Sequence, residues 1–239
     1  MSNWDNVSII IPSLNPTVKL ASVVTGLVEA GFGDIIVIDD GSDRAHIGHF
    51  EMIRGLRGCT VLTHTRNMGK GAALKTAFSF FQHARSGKCG AVTVDGDGQH
   101  LRDDIVKCSL ALTQSDKSVV LGVRDFNSPT VPKRNSFGNR AAAYAFRTLF
   151  GFRLHDTQTG LRGIPAPFIP LMLEIPGARF EYETNMLLEL KRRGVPFHEI
   201  DIETVYEIGA NDHSHYRPFT DSVIIFGRII RYVFMKKLY

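Results

Sequence analysis

Much is missing from this 239-residue chain, and each absence narrows what it does. Its three cysteines, Cys59, Cys89 and Cys108, are odd in number and never spaced as CxxC, which points to structural thiols in a reducing, cytosolic setting. No apolar stretch is long enough to span a bilayer. The opening residues, Met1-Ser2-Asn3-Trp4-Asp5-Asn6, lack the basic and apolar regions of a signal peptide. No run of basic residues resembles a nucleic-acid tail, so no nucleic-acid partner is expected. Lys70 lies between two glycines, yet Ala72 follows Gly71, so the phosphate-loop pattern GxxxxGK[ST] is not met. No GxGxxG follows the first apolar run, which argues against a dinucleotide oxidoreductase. With no internal repeat or low-complexity linker, a single compact domain is expected.

What remains is an ordinary globular composition, 44% hydrophobic and 22% charged. The net charge of +4 suits an anionic ligand or a membrane surface. Short β-branched runs alternate with helical patterns: strands at 7–12, 35–38, 60–63 and 91–94, and helices at 18–29, 46–56 and 72–84. A helix at 103–113 and a strand at 118–123 continue the alternation. Further on, helices are expected at 135–150 and 183–193, and a strand at 199–205. Continuous apolar strands separated by helices predict an α/β fold, a mostly parallel sheet covered on both faces. In such sheets ligands bind beyond the carboxyl ends of the strands. Three of the first four strands end in polar loops, 12–15, 39–43 and 95–100, which should gather along one edge.

The most informative of these loops is Asp95-Gly96-Asp97-Gly98-Gln99-His100. Side chains two apart on an extended chain point the same way, so Asp95 and Asp97 present their carboxylates together. Paired oxygens beside glycines suit a hard divalent cation such as Mg²⁺ or Mn²⁺; an Asp- and Gly-rich turn is the alternative.

Together, IIIPSLN, VIDDGSD, RNMGKGAAL, DGDGQH, GVRD, DTQTGLRG and RFEYETNMLLE resemble, in order, the family 2 glycosyltransferases. The nearest branch resembles the dolichyl- or polyprenyl-phosphate sugar synthases. The resemblance runs from Val7 to about Tyr232 and implies a GT-A fold, an αβα sandwich, with an Asp-x-Asp metal site. It implies a nucleotide-sugar-binding half at about 7–125, an acceptor-binding half at about 126–215 and a C-terminal amphipathic helix at about 216–239. By position, Pro12, Leu14 and Asn15 line the nucleotide pocket, with Asp39 and Asp40 near the base or ribose. Asn67 and Lys70 face the nucleotide, Asp95, Gly96 and Asp97 form the metal loop, and Gln99 and His100 follow on the substrate side. Three departures stand out. Pro16 replaces a frequent glutamate, Gly96 and Gly98 loosen the metal loop, and Leu101 follows His100 where relatives often carry proline.

The resemblance further implies inverting transfer from a UDP- or GDP-sugar to polyprenyl phosphate, with Asp95 and Asp97 at a cation that stabilises the leaving diphosphate, Asp97 as its direct ligand and Asp95 toward the donor ribose or metal-bound water. Arg124 and Arg134 correspond to acceptor-phosphate residues, with Arg162 a third candidate, and arginine suits paired phosphate oxygens. Asp156 opens DTQTGLRG as base or sugar-orienting carboxylate, and Gln158 adds a sugar contact. Glu181 and Glu183 are rival bases for a hydroxyl acceptor on a glycan or polymer, which requires proton removal. An inert nucleotide-sugar-binding scaffold is the reading from another class. His213 and His215 belong to a loop that folds over donor in one reading and is solvated in the other. The tail interleaves Ile229, Ile230, Val233 and Phe234 with Arg228, Arg231, Lys236 and Lys237, a pattern that suits a membrane surface, packing on the domain itself or on a second copy of the chain, or a small membrane-protein partner. The expected location is cytoplasmic, peripheral at the inner membrane face.

Overall fold

The computed structural model describes residues 4–115, 117–125, 148, 151 and 154–203. β1 (Val7–Ser13), β2 (Ile35–Asp39), β3 (Cys59–Thr63) and β4 (Gly90–Thr93) alternate with α1 (Val18–Glu29), α2 (Ile47–Arg54) and α3 (Lys70–Ala84). After α4 (Arg102–Thr113) and β5 (Val119–Arg124) come β6 (Arg162–Pro165), α5 (Ile169–Glu174), α6 (Glu181–Arg192) and β7 (Phe197–Ile202). Among the described residues these strands form one seven-stranded sheet in the order β3-β2-β1-β4-β6-β5-β7.

The strands are buried because they alternate between two apolar layers. Ile9 and Ile11 of β1 pack with Leu20, Val24 and Leu27 of α1, Phe50 and Ile53 of α2 and Ile105 of α4. Ile10 points the other way, toward Leu74 and Phe78 of α3, Met172 of α5 and Met186 of α6. This period-two alternation between covered faces explains the continuous β-branched runs. The α/β sandwich expected from the sequence is therefore observed. α6 also carries Glu181 and Glu183 in its first turn and Lys191 and Arg192 in its last, which complements its dipole.

β6 is the exception. It runs antiparallel to both β4 and β5, while the other pairings are parallel. A reversed strand enters the sheet from the edge where its neighbours end. Residues 156–161, just before β6, are thereby delivered beside the ends of β4 and β5. The sequence gives no strand signal here, since Arg-Gly-Ile-Pro is short and contains both glycine and proline. The remaining boundaries agree to within two or three residues. The expected helix at 135–150, residue 148 apart, that at 216–239 and the loop carrying His213 and His215 lie outside the described residues.

Candidate active site

The polar loops do gather on one edge. The β1 and β2 loops are cross-bonded: Asn15 N–H donates to Ser42 Oγ (2.8 Å), Asn15 Nδ2 to Asp43 Oδ2 (3.0 Å), and Asp43 N–H back to Asn15 Oδ1 (2.8 Å). Asn15 adopts a left-handed φ of 49°, which asparagine tolerates better than most residues. Pro12 ends within β1, and Leu14 is half-buried beside this clamp. Asp39 is buried and accepts from Ser42 N–H at 2.9 Å.

Asp40 is held within the fold. It is 3% exposed and accepts from Met68 N–H (2.9 Å), Gly69 N–H (2.7 Å) and the His64 ring (2.7 Å). The ring's other nitrogen is bonded to Thr76 Oγ1 on α3 at 2.9 Å. Expected near the base or ribose, Asp40 is instead engaged internally, where it fixes the turn that launches α3. Asn67, in the same turn, is exposed at the edge.

That turn aims Lys70. Gly69 has φ +99°, and a Cβ on Gly69 or Gly71 would meet Ala178 O at 2.4 Å or Tyr182 Cβ at 2.5 Å. The glycines exist because the 178–182 segment lies directly on the start of α3. Ala72 N–H donates to Ala178 O at 2.9 Å, sealing the contact. Lys70 Nζ consequently lies 2.7 Å from Asp95 Oδ1 and 2.9 Å from Glu183 Oε2. Burial would lower the Lys70 pKa, but the two carboxylates outweigh it and hold the ammonium above its ordinary value. Burial would likewise raise Asp95, but Lys70 and then His100 hold it well below the usual carboxylate range. Sequence reasoning placed Glu183 as a rival base and missed this pairing. The flanking glycines were the available signal.

The DTQTGLRG loop closes on the same carboxylate. A Cβ on Gly160 would meet Asp95 Oδ2 at 2.2 Å, and Thr93 Oγ1 donates to Gly160 O at 2.8 Å. His100, buried, has its Nε2 3.5 Å from Asp95 Oδ2, an ion-pair distance whose alignment falls short of a hydrogen bond. Asp156 is 0% exposed and takes both arms of Arg124, Nε at 2.6 Å and Nη2 at 3.0 Å, together with Gln158 N–H at 2.9 Å. Gln158 itself is exposed. Arg162, expected as a third acceptor-phosphate residue, is buried at 1% exposure, and its Nη2 has no hydrogen-bond partner among the described residues. Its Nε donates to Thr159 O (2.9 Å) and its Nη1 to Glu183 O (2.7 Å), tying the loop to α6. Arg134 lies outside the described residues.

Asp97 is the contrasting carboxylate. It is exposed, and among the described residues only its Oδ1 is engaged, by Gln99 N–H at 3.0 Å. Burial of its carboxyl group and then the charge of Asp95 push its pKa up. Gln99 is exposed beside it, and Gly96 packs against Leu20 of α1. Among the described residues, no group of three or more His, Cys, Asp and Glu is placed to hold a metal ion. Mg²⁺ and its kin are commonly held by one or two carboxylates with substrate phosphates and water completing the shell. Asp97, with a free oxygen whose charge is costly where it stands, fits that donor set.

The model of the family described as "Glycosyl transferase family 2" matches residues 8–167, from β1 to the end of the sheet's reversed strand. The chain belongs to that family. It is a family 2 glycosyltransferase. Among curated relatives it is 26% identical over 224 residues to the UDP-N-acetylglucosamine–dolichyl-phosphate N-acetylglucosaminyltransferase of Methanococcus voltae, covering 84% of this chain and 86% of that one. It is 28% identical over 234 residues to glycosyltransferase AglJ of Haloferax volcanii, covering 97% of this chain and 73% of the relative. Among solved structures, mannosyl-3-phosphoglycerate synthase from Rubrobacter xylanophilus superposes with a TM-score of 0.73 at 18% identity, covering 98% of this chain and 75% of that one. Glucosyl-3-phosphoglycerate synthase from Mycobacterium tuberculosis, solved with Mn²⁺, UDP and phosphoglyceric acid, gives 0.64 at 17% identity over 92% and 76% of the two chains. These likenesses establish the GT-A fold of the glycosyltransferase. Among its described residues, no helix is long and apolar enough to cross a membrane.

Proposed function

We propose that this glycosyltransferase moves a sugar, with inversion, from a nucleoside diphosphate sugar to polyprenyl phosphate at the inner face of a membrane. The observation that carries the acceptor class is the state of the carboxylates. Asp156 has no exposed surface and is chelated by Arg124, Glu183 is ion-paired to Lys70, and Asp95 shares that lysine. A hydroxyl acceptor requires a carboxylate free to take its proton. A phosphate monoester is already anionic near neutral pH and brings its own nucleophile. The pairing of Glu183 therefore weighs against Glu183 as that base, and the dolichyl-phosphate relative supports the phosphate reading.

In this scheme Asn15, with Asp43 and Ser42, pre-shapes the nucleoside pocket, and the exposed Asn67 borders it. Asp97 holds a divalent cation, Mg²⁺ or Mn²⁺, and Asp95 faces the donor beside it. When bound, that cation offsets the charge that builds on the leaving diphosphate. Two glucosyl-3-phosphoglycerate synthase structures with UDP, one with Mn²⁺ and one with Mg²⁺, support such a pairing. Arg124 holds Asp156 at the end of β5, and Gln158 projects beside it toward the sugar. The basic, apolar tail after residue 216 and Arg134 serve the acceptor and its membrane.

The test is incubation of purified protein with radiolabelled UDP- and GDP-sugars, Mg²⁺ or Mn²⁺, and either polyprenyl phosphate or an oligosaccharide alcohol. Label should enter the organic phase only with the lipid phosphate. The rate should rise with the acceptor's second ionisation, near pH ~6, and Glu183→Gln should keep that profile. Transfer to the alcohol alone, or from no donor at all by folded protein, would sink the proposal.

A further inference from the structure

Asp95 is ion-paired through one oxygen and hemmed in at the other. Lys70 Nζ holds Oδ1 at 2.7 Å, while Oδ2 faces His100 Nε2 at 3.5 Å. Gly160 presses so close that even a methyl there would overlap Oδ2 at 2.2 Å. Lys70 is not free to swing away. Glu183 grips its ammonium from the other side at 2.9 Å, and its backbone lies under the 178–182 segment, where Gly69 and Gly71 admit no side chain. Glu183 is fixed in turn, because Arg162 Nη1 bonds its carbonyl at 2.7 Å.

A lysine ammonium is a compact unit charge, and here it occupies one of the two carboxylates that the Asp-Gly-Asp loop offers a dication. The approaching cation meets a positive neighbour beside a single available carboxylate, that of Asp97. Such a site is weak for Mg²⁺ or Mn²⁺ alone, since hard cations need several oxygen donors. A nucleoside diphosphate supplies both the missing oxygens and the missing negative charge.

We propose that Lys70, tethered by Glu183, is a resident counter-cation of Asp95 that makes cation binding at Asp97 depend on the nucleoside diphosphate, so that cation and donor enter as one complex. The assignment rests on the donor and cation reading given above. It makes Lys70 and Glu183 positioning residues and gives the glycine-flanked lysine a reason to exist.

The experiment is Mn²⁺ titration of the full chain, with free Mn²⁺ read by electron paramagnetic resonance, alone and with UDP or GDP. Wild type alone should bind Mn²⁺ weakly, and a nucleoside diphosphate should tighten binding about tenfold or more. Without nucleotide, Lys70→Met should bind Mn²⁺ about tenfold or more tighter than wild type, because it frees a carboxylate and removes a repelling charge. Lys70→Arg, which keeps the charge, should stay weak. Wild type binding Mn²⁺ alone as tightly as with nucleotide, or nucleotide-free Lys70→Met within about twofold of wild type, would overturn the assignment. Should Lys70→Met fail to fold by circular dichroism, Glu183→Gln decides. It removes the tether that holds the ammonium at Asp95, so nucleotide-free Mn²⁺ binding should tighten; binding no tighter than wild type refutes the proposal. Calorimetry in which neither nucleotide binds would refute the donor reading, and the nucleotide-free comparison of wild type with Lys70→Met judges Lys70 separately.

Discussion

Gly71→Ala sets local helix preference against tertiary contact. Gly71 is the second residue of α3 and has helical backbone, so alanine there should gain about 1 kcal/mol from propensity alone. Its new methyl, however, would stand 2.5 Å from Tyr182 Cβ and 2.9 Å from both Ala178 C and Arg179 O. Two of those three atoms are backbone. Tyr182 is fully buried and anchored by its hydroxyl to Met172 O at 2.8 Å, so it has no room to yield. Overpacking of this kind costs about 1–3 kcal/mol. Losing the Ala72–Ala178 backbone hydrogen bond adds about 1 kcal/mol. The net is a destabilisation of about 1–3 kcal/mol, or roughly 2–12 °C in melting temperature for a chain of this size. The displaced segment leads into Glu183, so transfer should also slow by about tenfold or more. Gly48→Ala is the control: Gly48 is exposed in α2 with nothing near its missing Cβ, and alanine should stabilise by roughly 0.5 kcal/mol. Calorimetric melting with a parallel transfer assay reads both variants. If Gly71→Ala melts at or above wild type, the close packing of the 178–182 segment on α3 is refuted.

Three further outcomes follow from the same geometry. Asp97→Asn should abolish metal-dependent transfer, a loss of about 100-fold or more, yet leave melting unchanged or slightly raised, because burial and Asp95 disfavour the charge it removes; full activity would place the cation elsewhere. Arg124→Ala strips the fully buried Asp156 of its bidentate partner and should cost about 3 kcal/mol in urea unfolding. Arg124→Lys should recover less than half, since an ammonium lacks the fork, and equal stability of all three proteins would show that the pair is not structural. Lys70→Met tests linkage. The Asp95 pKa is depressed in the fold, so its contribution is complete above its unfolded value near ~4 and is lost as pH falls toward the depressed one. The Lys70 pKa is raised, so its contribution is complete below its unfolded value near ~10.4 and is lost as pH rises through the raised one. The stability gap between wild type and Lys70→Met should therefore be flat from about pH 5 to 9 and shrink on acidification; a gap that widens in acid would contradict the pairing.

The chain by itself determined the layered sheet and the edge that carries the chemistry. Runs such as Ile9-Ile10-Ile11 and Ile35-Ile36-Val37-Ile38 are apolar on both faces, and only a strand covered on both sides buries them. Where such runs stop at Asn15, at Asp39-Asp40 and at Asp95-Gly96-Asp97, the parallel arrangement leaves the loops nowhere else to gather. Local signals of this kind are readable because each depends on neighbours a few residues away.

What only the tertiary structure decided is which charges are spoken for. Asp40 and Arg162 read as ligand-facing by position, yet their partners, the 68–69 turn and Glu183 O on α6, come from distant parts of the chain. β6 has no strand signature, and its place between β4 and β5, antiparallel to both, comes from pairing with strands distant in sequence. Lys70 meets Glu183 only because α6 packs on α3. A carboxylate's chemistry depends on the cation that reaches it, and folding alone brings the two together. The family resemblance already sets Asp97 on the cation and Asp95 toward the donor; the fold adds Lys70, which pairs with Asp95 and leaves Asp97 open.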